Sequence, residues 1–172
     1  MGRSVLDFFV ANRQYNLVFA PHLVLFKRRW RHRATLPDAY RRAPNILIDT
    51  DSAALADMTY LDAADIYLGD VSSQVYEFLL EPRPCVFLDA HGIDWKHDPH
   101  YAHWCFGPVV TDVARDLGPA LLGAVASHAQ YLPAQRAGFA ETFHQDPAST
   151  AAQRGADAIA AFLRDLRTPA QP

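Results

Sequence analysis

The sequence lacks several features that would place it outside an ordinary soluble compartment. It has two cysteines, Cys85 and Cys105, too few for a disulfide framework, so we expect reduced thiols and a cytoplasmic location. No apolar run approaches the length of a membrane span, and the N-terminus shows no cleavable signal pattern. The formal net charge of −3 gives no electrostatic reason to expect nucleic acid as a partner.

Three common catalytic and nucleotide-binding motifs are also missing. The chain contains no Gly-x-Gly-x-x-Gly and no Gly-Lys-Ser/Thr, which argues against the dinucleotide fingerprint and the P-loop. The stretch from Gly69 to Ser73 does not spell Gly-x-Ser-x-Gly, so a serine hydrolase is not expected.

What is present is a repeated alternation of short apolar runs with capped, periodic segments. Half of the residues are hydrophobic and 20% are charged, as in a globular domain, and 172 residues suit one domain. We expect a doubly wound parallel sheet within a single domain at 1–166, followed by a loose tail at 167–172. The predicted strands are Tyr15–Ala20, Asn45–Asp49, Asp65–Gly69, Pro84–Leu88 and Gly107–Thr111.

Helices are predicted between and after these strands. Asp51-Ser52 is expected to cap a helix that runs to Ala64. Beyond the fifth strand the pattern predicts three C-terminal helices, at Leu117–Leu132, Pro133–Phe143 and Ala148–Leu166.

The turn between the third and fourth strands is the strongest candidate for a functional site. Asp70, Ser72 and Ser73 follow a buried strand and precede a helix with an apolar face. Ligands of open parallel sheets bind at such strand ends, and free amides there favour a phosphate. A capping role alone is the other interpretation. Glu77, one helical turn beyond Ser73, is either a ligand for ribose hydroxyls or a solvated residue.

His22 lies just past the end of the first predicted strand, which is again the ligand edge of an α/β sheet. It is either a donor to a diphosphate oxygen or a histidine bonded within its turn.

The segment His91–Cys105 holds four histidines and three large aromatic residues. Its spacing matches no compact zinc pattern, so we expect no metal site. A loop folded over the nucleotide edge, with aromatics that stack on or shield a base, is the favoured interpretation.

Lys27–Arg33 is the one dense basic cluster of the sequence. It is either a solvated loop or a peripheral contact to anionic lipid at the inner face of a membrane.

The stretch Asp65–Asp89 resembles the signature of the CDP-glycerol glycerophosphotransferase family, which has the GT-B glycosyltransferase fold. The matching residues are Asp70-Val71-Ser72-Ser73, Glu77 and Arg83-Pro84 before an apolar strand. Phe19-Ala20-Pro21-His22 is similar to the family's Arg-Pro-His-Pro turn, although Ala20 stands in place of its arginine. Phe143–Asp146, with Arg154 and Ala158-Ile159, is similar to its C-terminal helix.

The resemblance implies a Rossmann-like half of a GT-B fold, the half that binds the donor nucleotide. CDP-glycerol, or another nucleotide-activated donor, is then expected to bind without a cofactor at His22, Asp70, Ser72, Ser73 and Glu77. The implied reaction is attack of an acceptor hydroxyl on the β-phosphorus with release of CMP, in teichoic-acid or capsular polysaccharide synthesis. A sugar-nucleotide glycosyltransferase half and a non-catalytic nucleotide-binding module stay open as alternatives.

The family's catalytic base lies in its N-terminal half, and this sequence has no counterpart for it. The resemblance therefore implies an N-terminal acceptor domain as a partner, and little activity of the isolated chain.

Overall fold

The computed structural model describes residues 1–22 and 36–167. Within this part, five short strands alternate with helices. The strands are β1 (Leu17–Phe19), β2 (Ile46–Ile48), β3 (Tyr67–Gly69), β4 (Cys85–Leu88) and β5 (Val109–Val110). The α-helices are α1 (Gly2–Ala11), α2 (Asp38–Arg41), α3 (Thr59–Ala63), α4 (Gln74–Phe78), α5 (Gly118–Thr142) and α6 (Ala151–Arg167). Three 3₁₀ segments (Ala53–Leu55, Trp95–His97 and Pro99–Phe106) and a π-helical turn (Val113–Leu117) complete the path.

All strand pairs are parallel, which confirms the predicted α/β class and the five strand positions. β1 pairs with β2, and β3, β4 and β5 form a second sheet in that order. The prediction of one continuous sheet is not met, because no backbone ladder joins the two sheets within the described residues. The strands are only two to four residues long, so each ladder is short.

Two hydrophobic clusters form the core, and β4 lies between them. Val86 belongs to the cluster that α1, β2 and β5 share, whereas Cys85 and Phe87 belong to the cluster around α4 and the Pro99–Phe106 segment. Successive residues of a strand point to opposite faces, so β4 is covered on both sides. This two-sided burial is typical of the parallel strands of layered α/β proteins.

Hydrogen bonds from two side chains link the amino ends of the three strands β3, β4 and β5. Arg83 donates to the carbonyls of Asp62 and Ala64, just before β3, at 3.2 and 2.7 Å. The fully buried Gln135 of α5 donates to the carbonyl of Arg83, before β4, at 3.0 Å, and to that of Phe106, before β5, at 2.9 Å.

Close backbone packing reinforces the same end of the sheet. Gly107 lies so near the carbonyl group of Cys85 that a β-carbon at this position would overlap it. Only a glycine allows this approach.

Two helix predictions are wrong in their extent. The helix expected from Asp51 to Ala64 is interrupted, because Met58 takes a left-handed conformation with φ 68°. Ser52 caps only a 3₁₀ turn, and Asp57 accepts hydrogen bonds from the amide and hydroxyl of Thr59, where α3 begins.

The two helices expected on either side of Pro133 are one continuous helix, α5. Pro133 is exposed, so the carbonyl that its missing N–H leaves unpaired can bind water. Two residues further on, Gln135 donates hydrogen bonds to the carbonyls of Arg83 and Phe106. These bonds hold the helix in position just beyond Pro133.

Arg167, predicted to begin the tail, ends α6 instead. Residues 168–172 of that tail, like the basic cluster Lys27–Arg33, lie outside the described residues.

Candidate functional site

The turn from β3 to α4 comes directly after Gly69, and the side chain of Tyr67 lies against this glycine in the same strand. The hydroxyl of Tyr67 lies 2.6 Å from where a β-carbon of Gly69 would stand, so the glycine makes room for the ring. Burial raises the pKa of Tyr67 to about 12, against the opposing effect of its hydrogen bond with Ser72. The phenol therefore stays neutral, and its hydrogen bond with Ser72 connects it to the turn.

Two ring N–H groups also meet one backbone carbonyl of the turn. The indole Nε1 of Trp104 donates to the carbonyl oxygen of Asp70 at 3.0 Å, and Nε2 of His103 lies 3.1 Å from the same oxygen. A carbonyl can only accept, so His103 carries its proton on Nε2. Burial lowers the pKa of His103, which favours the neutral imidazole. The rings of both residues are buried, at 5% and 2% exposure.

The aromatic segment lies against the turn, and the Trp104 ring is not placed to stack on a base. Trp104 packs edge-on against Tyr101 and Trp95, with ring centroids 4.8 and 6.3 Å apart. With its face buried and its N–H engaged, Trp104 is part of the core and not an exposed platform for a base.

Of the predicted site residues, four lie together in the turn and the helix that follows. Ser72 accepts a hydrogen bond from the amide of Gln74 at 3.3 Å, so the capping interpretation applies to it. In the part of the chain that the structure describes, no hydrogen bond or ion pair engages the Ser73 hydroxyl or the carboxylates of Asp70 and Glu77. All three residues are exposed. They are available to a ligand.

His22 is exposed at the carboxyl end of β1, in the two-stranded sheet. Its membership of the same site as Ser73 stays a prediction.

Sequence reasoning missed the role of three aspartates that follow β2, β4 and β5. Asp89, after β4, accepts hydrogen bonds from the amides of His91, Gly92 and Ile93 at 2.8–3.0 Å. Asp112, after β5, accepts from the amides of Ala114 and Arg115. These carboxylates hold their own loops, and an aspartate within two residues of the end of an apolar run is the signal that could have revealed them.

Asp49, after β2, is the third. It accepts hydrogen bonds from the amides of Asp51 and Ser52 and from the hydroxyls of Ser52 and Tyr60. The Ser52 hydroxyl, followed by that of Tyr60, holds the pKa of Asp49 far below its ordinary value. Asp70 therefore differs from these three, because its carbonyl and not its carboxylate is engaged.

Among residues 1–22 and 36–167, no group of three or more histidine, cysteine, aspartate or glutamate side chains is placed to hold a metal ion. Within the same residues, no helix combines the length and apolar character needed to cross a membrane.

Comparison of the chain with protein-family models, with curated proteins and with solved structures found no match.

Proposed function

We propose that this chain is the donor-nucleotide-binding half of a GT-B glycerophosphotransferase and that its ligand is CDP-glycerol. The observation that carries the proposal is the turn Asp70–Ser73. It lies at the carboxyl end of a parallel strand, where Tyr67 bonds with Ser72 and where His103 and Trp104 bond the carbonyl of Asp70. Within the described residues, the side chains of Ser73, Asp70 and Glu77 make no hydrogen bond or ion pair, and all three are exposed. Ligands of parallel α/β sheets bind at this edge.

The order of elements also supports the proposal. The residues that resemble the glycerophosphotransferase signature occupy one strand–turn–helix–strand unit, β3 to β4. Arg83, which stands where the family has lysine before proline, uses its guanidinium on backbone carbonyls and stacks on Phe78 at 4.1 Å. We therefore assign Arg83 to the scaffold of the site and not to the ligand.

Each polar group has a distinct role in the proposed complex. The Ser73 hydroxyl, together with His22, donates to the diphosphate and stabilises the charge that grows on it as the β-phosphorus is attacked. Glu77 accepts hydrogen bonds from the ribose hydroxyls. The acceptor hydroxyl and its base come from a second, N-terminal domain, so the isolated chain is expected to bind donor weakly and to turn over little.

The proposed cellular setting follows from the same reaction. A polymeric or lipid-linked acceptor is held at the inner face of the cytoplasmic membrane. Lys27–Arg33 supplies positive charges there, which anionic lipids attract.

The test is calorimetric titration of the purified chain with CMP and CDP-glycerol, with a UDP-sugar and FMN as competitors of other classes. Ser73→Ala should weaken cytidine nucleotide binding by about 1–2 kcal/mol, since a hydrogen bond to a charged group is lost. Ser4→Ala, an exposed serine in α1, is the matched control and should bind like the unmodified chain.

Tighter binding of FMN or a UDP-sugar than of CDP-glycerol would contradict the choice of donor. Equal affinities of the Ser73→Ala variant and the unmodified chain would contradict the site.

A further inference from the structure

The carbonyl of Asp70 is engaged twice by side chains that belong to the buried core. The donors are the Nε1 of Trp104 and the Nε2 of His103, at 3.0 and 3.1 Å. The ring of His103 also packs edge-on against Phe87 of β4, with centroids 5.6 Å apart. The direction in which the Asp70 carbonyl points is therefore set by the core.

Fixing this carbonyl also fixes the amide on the other side of the same peptide. In a trans peptide the C=O and the following N–H point in opposite directions, and no peptide among the described residues is cis. The carbonyl of Asp70 points inward, to buried His103 and Trp104, so the N–H of Val71 points outward. Val71 is 51% exposed, and within the described part of the chain its N–H donates to no group.

We infer that His103 and Trp104 are positioning residues that aim the Val71 amide at a phosphate oxygen of the bound ligand. The inference rests on the proposed function and deepens it, because it names a backbone donor for the phosphate and the two side chains that orient it. Val71 N–H and the Ser73 hydroxyl are then two donors on one turn. An oriented donor costs no reorganisation when the ligand binds.

A merely structural role predicts something different. If the two rings only stabilised the fold, their loss would lower stability and would affect every ligand of the turn alike. A positioning role affects ligands that carry phosphate and spares cytidine, which has none.

The experiment combines amide NMR with titration. Inorganic pyrophosphate, CMP, CDP-glycerol and cytidine are added to the ¹⁵N-labelled chain, and the Val71 amide resonance is followed. We expect a downfield shift of this resonance with the three phosphate compounds and none with cytidine.

The variants distinguish the effect of the two N–H donors from the effect of the packing of their rings. Trp104→Phe and His103→Leu each remove one donor and should weaken binding of the phosphate compounds about tenfold, while cytidine binding is unchanged. His103→Gln keeps a neutral N–H donor and should restore most of the affinity. Trp95→Phe, in the same aromatic cluster without a bond to Asp70, is the control and should have no effect.

The outcomes distinguish this inference from the proposed function. A Val71 resonance that stays in place while the chain binds CDP-glycerol overturns the inference alone, as do Trp104→Phe and His103→Leu variants that bind like the unmodified chain. A shift with pyrophosphate, without binding of any cytidine nucleotide, supports the inference and removes the proposed function. If both donor-removing variants fail to fold, the Val71 resonance of the unmodified chain decides.

Discussion

The two ends of the three-stranded sheet differ in how their polar groups are used. At the amino end, Arg83 and Gln135 bind the carbonyls that precede β3, β4 and β5, and Gly107 packs directly on the backbone of Cys85. At the carboxyl end, Ser73 and Glu77 are exposed with no protein partner for their side chains in the described residues.

The difference separates stability from function along a single sheet. Hydrogen bonds that fix the strands are concentrated at the amino end, where removal of a group should cost folding free energy. The turn from β3 to α4 is held by the carbonyl of Asp70 and the hydroxyl of Ser72, so the side chains of Asp70 and Ser73 remain available for binding. Substitutions at the amino end and substitutions of Asp70 or Ser73 in the turn should therefore affect different measurements.

The largest loss of stability is expected for Gly107→Ala. A methyl group here overlaps the backbone of Cys85, which cannot move without shifting β4. We expect a loss of about 3 kcal/mol in the free energy of unfolding, measured with urea. Gly123→Ala in α5 is the control, since no atom of the described residues lies within 4 Å of its added carbon. It should be neutral or slightly stabilising. Similar losses in both variants would show that the amino end is not tightly packed.

A smaller loss, about 2 kcal/mol, is expected for Gln135→Leu. The change removes the amide donor to the carbonyls of Phe106 and Arg83, leaving the Arg83 carbonyl with only the weak thiol donor of Cys85, and it removes the acceptor of the hydrogen bond with His128. Urea unfolding measures the loss. Gln130→Leu, at an exposed position of the same helix, is the matched control. If the two variants are equally stable, the hydrogen bonds of Gln135 contribute nothing to the sheet.

At the carboxyl end, Asp89→Ala and Asp70→Ala test which strand ends depend on their carboxylates. Asp89 is buried and holds three amides, so its removal should cost about 1.5 kcal/mol. The exposed carboxylate of Asp70 makes no hydrogen bond in the described residues, so Asp70→Ala should leave the unfolding midpoint unchanged. A reversed order of stabilities would refute the distinction.

The smallest effect is a pH dependence from Asp49. Its pKa in the folded protein lies below the ordinary value of 3.8, which applies to the unfolded chain. The unfolded state therefore binds the proton first. The stabilisation is complete above that value and is lost as the pH falls towards the folded pKa. Asp49→Asn should flatten the decline in unfolding free energy between about pH 5 and pH 2. Asp51→Asn changes an exposed neighbour whose carboxylate makes no hydrogen bond to any described residue, and it should not flatten this decline.

Much of the fold was predictable because it depends on short-range patterns. The apolar run Cys85–Leu88 between prolines and Asp89 predicts a strand, and the structure has a strand there. The break at Met58 was not predictable in this way, since a left-handed methionine carries no local signal. Nor was the continuity of α5 through Pro133, which depends on bonds from Gln135 to residues 29 and 52 positions away.

The same contrast between short-range patterns and long-range contacts applies to the candidate site. Asp70, Ser72 and Ser73 are visible in the sequence because strand-end turns use a recognisable set of residues. His103 and Trp104 are 33 and 34 residues beyond Asp70, and their shared acceptor is a backbone atom. Only the folded chain shows that they meet.

The continuity of α5 also has a consequence for how the protein unfolds. Leu121 and Ala124, in its first half, belong to one hydrophobic cluster, whereas Ala134 and Phe139, in its second half, pack on the other. A helix propagates cooperatively once it is nucleated, so the ordering of one cluster favours the ordering of the other. Because the single helix packs on both clusters, we expect the two clusters to unfold together in one cooperative transition.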